Sequence, residues 1–453
     1  MDELTLAEIA DMAGAKLLRG SPGVRVSRVS KDSRTTERGD LYVALRGENF
    51  DGNQFAGAAV ARGAAAVLLD RKPEGLPEDL PVLLADDGLA ALTRLATAWR
   101  ARLGLKVLCI TGSNGKTSTK EFAAAVLAES FRVVKTQGNL NNHIGLPLSI
   151  LSASSADTAA VWEIGMNHPG ETAPLAALAR PDVAIITNIG VSHIEYMKSR
   201  EAIALEKGAL AEAVPAGGVV ILPSGDALAD AIASRCKGRV VRTGLTNSGL
   251  TADSIVESEN GCTFVVTSGG QKFGASIAAN GAHMVGNALL ALAAGLEFGI
   301  PIEKAIHGLG RARLAGGRLQ RRLIREVLFL DDTYNANPDS MEAALATLRS
   351  LPGPGHRIAV LGRMGELGDY AAEGYRRTGL AAGRLADILI TVGPEAAAIE
   401  AAAREAGMSR IHAVDNPASA ARMLGSLAKQ GDIVLVKGSR SARMESVLQH
   451  FET

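Results

Sequence analysis

Short apolar runs rich in Val, Ile and Leu recur along this chain, and stretches with helical spacing separate most of them. A run that is apolar at every position has no solvent face, so it suits a strand covered on both sides. Helices between such runs are the connections that parallel strands need. The alternation points to an α/β fold. Length adds a second constraint: 453 residues exceed one ordinary core, and roughly 100–200 residues per domain predicts three domains.

The first expected domain covers 1–98. It has an opening helix (Leu6 to Leu17), apolar strands at Leu41–Leu45, Ala65–Leu69 and Val82–Leu84, and an alanine-rich helix from Phe55 to Arg62. The second covers 99–312, with strands at Val107–Ile110, Arg132–Lys135, Ala160–Trp162, Val183–Ile186 and Val219–Leu222. From Thr251 to Ile277 short alternating stretches broken by Gly261 and Gly269-Gly270 predict antiparallel hairpins added to that parallel sheet, and a helix from Ala282 to Gly295 closes the block. The third covers 313–453, with strands at Val327–Leu330, Ile358–Leu361, Ile388–Thr391 and Ile433–Val436. Leu351-Pro-Gly-Pro-Gly355 reads as a turn between a helix and a strand.

Composition removes several function classes. Lys+Arg and Asp+Glu both number 48, so the basic excess of a nucleic-acid binder is missing, and any anion must be held by a local site. Met1-Asp2-Glu3-Leu4 lacks a signal-peptide pattern, and no run reaches the ~18 apolar residues of a membrane span. Cys109, Cys236 and Cys262 are far apart and form neither a zinc spacing nor a disulfide framework. A cytoplasmic monomer with no nucleic-acid partner and no membrane insertion is the expectation.

Thr111-Gly112-Ser113-Asn114-Gly115-Lys116-Thr117-Ser118 follows the Val107–Ile110 strand and precedes a helical run from Thr119 to Leu127. That is the context of a phosphate-cradling loop. Glycines let backbone N–H groups converge, the helix N-terminus adds positive potential, Lys116 reaches the terminal phosphates, and Thr117 offers a hydroxyl to Mg²⁺. The match to G-x-x-x-x-G-K-[ST] is incomplete, because the first Gly would fall at Ile110. An ordinary Gly-rich turn would explain the glycines but not the Lys and Thr that follow them.

The compressed T-G-x-x-G-K-T form resembles the nucleotide loop of the Mur ligase family, which includes the folylpolyglutamate synthetases. Further segments resemble that family in order: Asn139-Leu-Asn-Asn-His-Ile-Gly-Leu-Pro147, Glu163-Ile-Gly-Met-Asn167, Thr187-Asn-Ile-Gly190 with His193, and Lys207-Gly208. They continue with His283 to Asn287, Gly317-Arg318, Asp331-Asp-Thr-Tyr-Asn-Ala-Asn-Pro338 and Lys437-Gly-Ser-Arg440. The Asp331–Pro338 run, Met364-Gly-Glu-Leu-Gly368 and Val436-Lys-Gly-Ser-Arg-Ser441 resemble the branch that adds D-alanyl-D-alanine to a UDP-linked muramoyl tripeptide. The third residue of that peptide, diaminopimelate or lysine, stays open.

The resemblance implies a small UDP-binding α/β domain, a central P-loop-type sheet with appended antiparallel strands, and a C-terminal Rossmann-like domain. It implies ATP and Mg²⁺, an acyl-phosphate intermediate, and domain closure around the substrates. ATP would be held by Gly112 to Ser118, Asn287, Arg318 and Asp332. The metal would be held by Thr117, Glu163, His193 and Lys207, and the chemistry would rest on Lys116, Lys207 and His193. Substrates would meet Ser33, Arg34, Asn139, Asn142, Tyr334, Asn335 and Asn337.

The residues themselves support part of this. Glu163 and His193 lie at strand ends, where ligands of open α/β sheets bind, and a carboxylate there suits Mg²⁺. A lone His more often packs or caps. Asn337 reads partly as a helix cap before Pro338, and Arg318 could simply be solvated. Asp32-Ser33-Arg34 is equally a polar turn before a strand. Lys207, on a helical stretch from Ala202 to Ala211, either faces solvent or has its charge changed by CO₂ to a carbamate, as the resemblance implies. Asn53 stands where the family often has His, and Arg363 where Asp is expected before Met364. Asp415-Asn416-Pro417 resembles the D-N-P-R signature of the diaminopimelate-adding branch, but Ala418 replaces its Arg and the tripeptide falls well after the Ile388–Thr391 strand. The rivals are another ligase of the family and a nucleotide switch without ligase activity; the second cluster at Asp331–Pro338 weakens the switch.

Overall fold

The computed structural model describes residues 1–246 and 248–452. The chain is α/β throughout and divides into two compact units, Met1–Cys109 with Phe131–Gly165 and Glu171–Asp182, and Ile110–Ser130 with Met166–Gly170 and Val183–Thr453.

The first unit contains a five-stranded sheet in the order Lys16–Arg19, Val82–Leu84, Ala66–Leu69, Asp40–Val43, Arg28–Ser30. The last four are parallel and Lys16–Arg19 is an antiparallel edge. Tyr42, Val67, Leu69 and Val82 pack with Ala56 and Ala59 of the Ala56–Ala61 helix. The opening helix is shorter than expected. It spans Leu6–Ala13, is started by a capping box between Thr5 and Glu8, and stops where Gly14 turns to φ 61. Leu17 therefore lies in a strand, not in the helix.

Elsewhere in this unit the Val133–Lys135 and Ala159–Glu163 strands pair in parallel. The expected boundary at 98/99 falls inside the helix Gly88–Arg102. Trp99 Nε1 donates to the Ala153 carbonyl at 2.9 Å, and Arg100 donates to the carbonyls of Ala179 and Arg180. Those bonds tie the helix to residues far past the expected break.

In the second unit the strands Val183–Ile186, Val219–Pro223, Arg239–Gly244 and Leu250–Ser258 run parallel, and Gly261–Ser268 and Gln271–Ile277 continue antiparallel, as the hairpin pattern predicts. The end of the Lys106–Thr111 strand lies beside the first of these, with Thr187 N donating to Thr111 O at 2.9 Å. The expected break at 312/313 lies between the Ile302–Gly310 helix and the Gln320–Ile324 strand.

A six-stranded sheet comes next, in the order Gln320–Ile324, Val327–Asp332, Ile433–Lys437, Arg357–Leu361, Ile388–Val392, Ile411–Val414. All but the first pair are parallel. Right-handed crossovers that step one way across the sheet put Pro338–Ser350, Ala371–Leu385 and Ala397–Glu405 on one face; the return step puts Pro417–Leu427 and Glu445–Glu452 on the other. Phe329, Val360, Ile390 and Val436 meet Leu424, Val447 and Phe451 on that second face. Neighbouring loops thus leave the sheet in opposite directions beside Ile433–Lys437, which opens a crevice at the carboxyl ends of the strands.

Candidate active site

The helix after the glycine loop starts at Lys116, earlier than the sequence pattern suggests, with Gly115 as its cap at φ +80. Gly112 (φ +148) and Gly115 are required by space as well as by φ. A Cβ on Gly112 would fall on Thr187 Oγ1, and one on Gly115 would come within 2.6 Å of Asn287 Oδ1. The loop is held from outside by the segment after the Val183–Ile186 strand. Asn188 accepts from the amides of Ser113 (3.0 Å, carbonyl) and Asn114 (2.9 Å, Oδ1), and Thr187 Oγ1 donates to Asn114 O at 2.5 Å. Ser113 Oγ accepts from Gly190 N at 2.9 Å, and Ser192 Oγ donates to Ser113 O at 3.0 Å. Those two loop amides are taken by Asn188, and the helix that follows starts at Lys116. Lys116 Nζ folds over the loop and donates to Gly112 O at 2.7 Å.

The 331–338 run meets this loop. Asn337 Oδ1 caps the Pro338–Ser350 helix by accepting from Ser340 N at 2.9 Å. The other end of the same amide donates to Asn114 Oδ1 at 2.7 Å and to Ser192 Oγ at 2.6 Å. The capping reading holds, and the same side chain also meets the glycine loop. Asp332 accepts from Leu319 N at 3.2 Å and from Lys437 Nζ at 2.6 Å, and Lys437 also donates to Asn335 O at 2.9 Å. Lys437 is buried, so its charge is set against Asp332 rather than water. Sequence reasoning gives Lys437 no role of its own, although it opens the Lys437–Arg440 segment that resembles the family and ends an apolar strand. The Arg318 guanidinium lies 4.0 Å from the centroid of the Tyr334 ring, and its Nε is buried with no hydrogen-bond partner. A buried orphan donor on a stacked, part-exposed Arg is the geometry of a group waiting for an acceptor.

His193 sits at φ 62 and shares a short 2.5 Å hydrogen bond, through Nδ1, with Glu366 Oε2. Burial, more than any other influence, holds its pKa below the usual histidine value, with Lys116 and Lys207 adding to the effect. Glu366, from the M-x-E-L-G run, is a partner that the sequence does not assign to His193. Its carboxyl is held low chiefly by that bond. Lys207, on the helix Arg200–Glu212, is 1% exposed, and burial followed by Lys116 pushes its pKa far down. A solvent-facing lysine does not describe it.

Family comparisons match the same segments. The Mur ligase family, catalytic domain model matches residues 25–100, the Mur ligase middle domain 110–295, and the Mur ligase, glutamate ligase domain 317–440. The UDP-N-acetylmuramoyl-tripeptide–D-alanyl-D-alanine ligase of Bacillus subtilis is 37% identical, with 99% of this chain and 98% of that protein aligned. The chain belongs to the Mur ligase family. Among solved structures, MurF from Acinetobacter baumannii superposes with a TM-score of 0.90 at 30% identity over 100% of this chain and 99% of that one. MurF from Thermotoga maritima in complex with ADP gives 0.83 at 28% identity over 94% and 97%.

Other residues singled out in this Mur ligase have local explanations. In the first unit, Glu163 ends its strand almost fully buried, and Oε1 accepts from Asn141 Nδ2 at 2.8 Å. Asn141, not assigned from sequence, orients that carboxylate. Asn142 Oδ1 accepts from Gly145 N at 2.8 Å at the start of the Gly145–Leu151 helix, and Asn139 is exposed. Arg34 donates twice to Asp32, at 2.9 and 2.7 Å, and that pairing holds the Asp32 carboxyl down at about 2. Ser33 lies within that turn, half-buried. Asn53 donates to Asp51 and Asp70. In the second unit Arg363 is paired with Glu395 at 3.6 Å. Asn416 Oδ1 accepts from Ser419 N at 2.9 Å and caps the Pro417–Leu427 helix, directly after a strand, Ile411–Val414, that the sequence pattern does not reveal. No described helix is long and apolar enough to cross a membrane.

Proposed function

We propose that this Mur ligase joins D-alanyl-D-alanine to a UDP-N-acetylmuramoyl tripeptide, using ATP and passing through an acyl phosphate. The observation that carries the reading is the Asn337–Asn114 contact. It joins the glycine loop to the run that resembles the D-alanyl-D-alanine-adding branch, in a chain aligned end to end with a ligase of that name.

In this reading the peptide carboxylate attacks the γ-phosphorus and ADP leaves. The dipeptide amine then adds to the acyl carbon, phosphate departs, and an amide remains. Lys116 and the helix N-terminus at Gly115 neutralise charge on the phosphates, and Arg318 with Asp332 takes the nucleoside end. Tyr334 and Asn335 stand beside that end. In the second unit the donors suit a hard cation: the Thr117 hydroxyl lies in the first helical turn, and Glu366 on Nδ1 of His193 leaves Nε2 for a ligand; in the first unit, taken by itself, the Glu163 carboxylate is oriented by Asn141. Magnesium, when bound there, supplies positive charge beside the transferring phosphoryl group. Burial pushes the Lys207 pKa far down and so favours the neutral amine, the state that attacks CO₂; an N–C bond forms, one N–H proton leaves to solvent, and the resulting carbamate carries the anionic oxygens that a cation would meet.

The test is direct: purified chain, ATP, UDP-muramoyl tripeptides ending in diaminopimelate or lysine, and D-alanyl-D-alanine, with the product weighed. Phosphate release should require both peptides and yield the pentapeptide. Release without the dipeptide, or product only with a free amino acid, overturns the reading.

A further inference from the structure

Asp339 has an unassigned task. It is the second residue of the Pro338–Ser350 helix, and an acidic residue there favours the helix dipole in any protein. That explanation does not cover its contacts. Asp339 Oδ1 accepts from Arg377 Nη2 at 3.1 Å, and Oδ2 accepts from the backbone amide of Val191 at 2.8 Å. Arg377 is itself fixed: it donates to both Glu342 oxygens, at 3.0 and 2.9 Å, and to Tyr370 Oη at 2.9 Å. The carboxylate is therefore a braced arm that reaches from the C-terminal sheet's helix layer to the loop after the Val183–Ile186 strand.

The residue facing it is Gly190. Its φ lies outside the left-handed region, so backbone conformation does not demand glycine. Space does. A Cβ at 190 would come within 2.1 Å of Asp339 Oδ2, and Ser113 Cβ would stand 3.4 Å away. The same short loop bonds Ser113 through Gly190 N, Asn114 through Asn188, and Asn337 through Ser192, and it ends at His193.

We infer that Asp339 is a positioning residue: it sets the 187–193 loop, and through it the glycine loop and His193, while Gly190 is glycine so that the carboxylate can reach Val191. The consequence for catalysis rests on the ligase reading; the geometric claim does not.

The test uses the full chain and four variants: Asp339→Ala, Asp339→Asn, Gly190→Ala, and the Gly190→Ala/Asp339→Ala double. Amide hydrogen exchange is measured across 187–193 without substrates. Asp339→Ala should speed exchange there about tenfold or more, as loss of a charge-assisted bond implies, with Asn intermediate and the melting temperature nearly kept. In ligation, Asp339→Ala and Gly190→Ala should each lower kcat about tenfold while the KM for the dipeptide stays within about twofold. The decisive readout is the cycle. In the Asp339→Ala background the added methyl should do little, because the oxygen it strikes is gone. Equal losses from Gly190→Ala in both backgrounds, or parental exchange in Asp339→Ala, would overturn the inference. If exchange behaves as stated but the parent makes no pentapeptide, the functional reading fails alone.

Discussion

Two polar turns beside strands carry expectations of anion binding, and they are built in opposite ways. At Asp32-Ser33-Arg34 the cation is consumed on the spot: Arg34 folds onto Asp32 two residues away, and its side chain is 86% exposed. At Gly112–Ser118 the loop's own polar groups are satisfied by Thr187, Asn188, Gly190 and Ser192, more than seventy residues on. That outside bracing leaves a helix N-terminus beside Lys116, whose Nζ donates to carbonyl oxygens of the loop, and near a buried Lys207. A turn that saturates itself is a structural device; a turn held open by distant residues has something left to offer a ligand.

Substitutions can break that contrast. Lys116→Ala should cost the most, about a hundred- to a thousandfold in kcat with melting unchanged, because it removes charge beside the transferring phosphoryl. Near-parental ligation by this variant would place both turns in the same class. Lys207→Ala comes next, with a loss of roughly a hundredfold, and a short carboxylic acid in the assay should restore part of it by filling the space of the carbamate. Full activity without additive would show the buried amine to be mere packing. Arg318→Ala should raise the KM for ATP roughly tenfold, since the nucleotide loses the donor that Arg318 offers it. An unchanged KM for ATP would mark the orphaned Nε as an accident of packing. Arg34→Ala should be smallest, with the KM for the UDP-substrate within about threefold, as expected for an exposed ion pair. A tenfold rise would mean that Arg34 leaves Asp32 to meet the substrate, and the contrast would fail.

The apolar runs make most of the parallel strands legible, and Val183–Ile186 and Val82–Leu84 fall where the pattern puts them, to the residue. Lys16–Arg19, Gln320–Ile324 and Ile411–Val414 are hidden, because each is a part-exposed sheet edge in which Arg, Lys or His interrupts the apolar run. Arg239–Gly244 is internal and parallel to both neighbours, yet two arginines break its apolar pattern. Periodicity alone draws the opening helix too long, because it runs through Gly14, the residue that stops it. Residue types and order announce the glycine loop and the 331–338 run, whereas His193 stands out chiefly through the resemblance. Pairings do not show: Lys437 with Asp332, Glu366 with His193 and Asn141 with Glu163 depend on packing that no spacing rule encodes.

At Asn337 a single amide serves two masters. By the rules of helix starts alone, Ser, Asp and Asn are near equivalents at that position. A designer optimising thermal tolerance would exchange them freely, and a screen for folded protein would pass every choice. Only Asn has an NH₂ to present to Asn114 and Ser192 while its oxygen stays on Ser340. The chain can thus lose its coupling between loop and helix without any sign in its melting curve, so variants at residue 337 need a functional assay beside the stability screen.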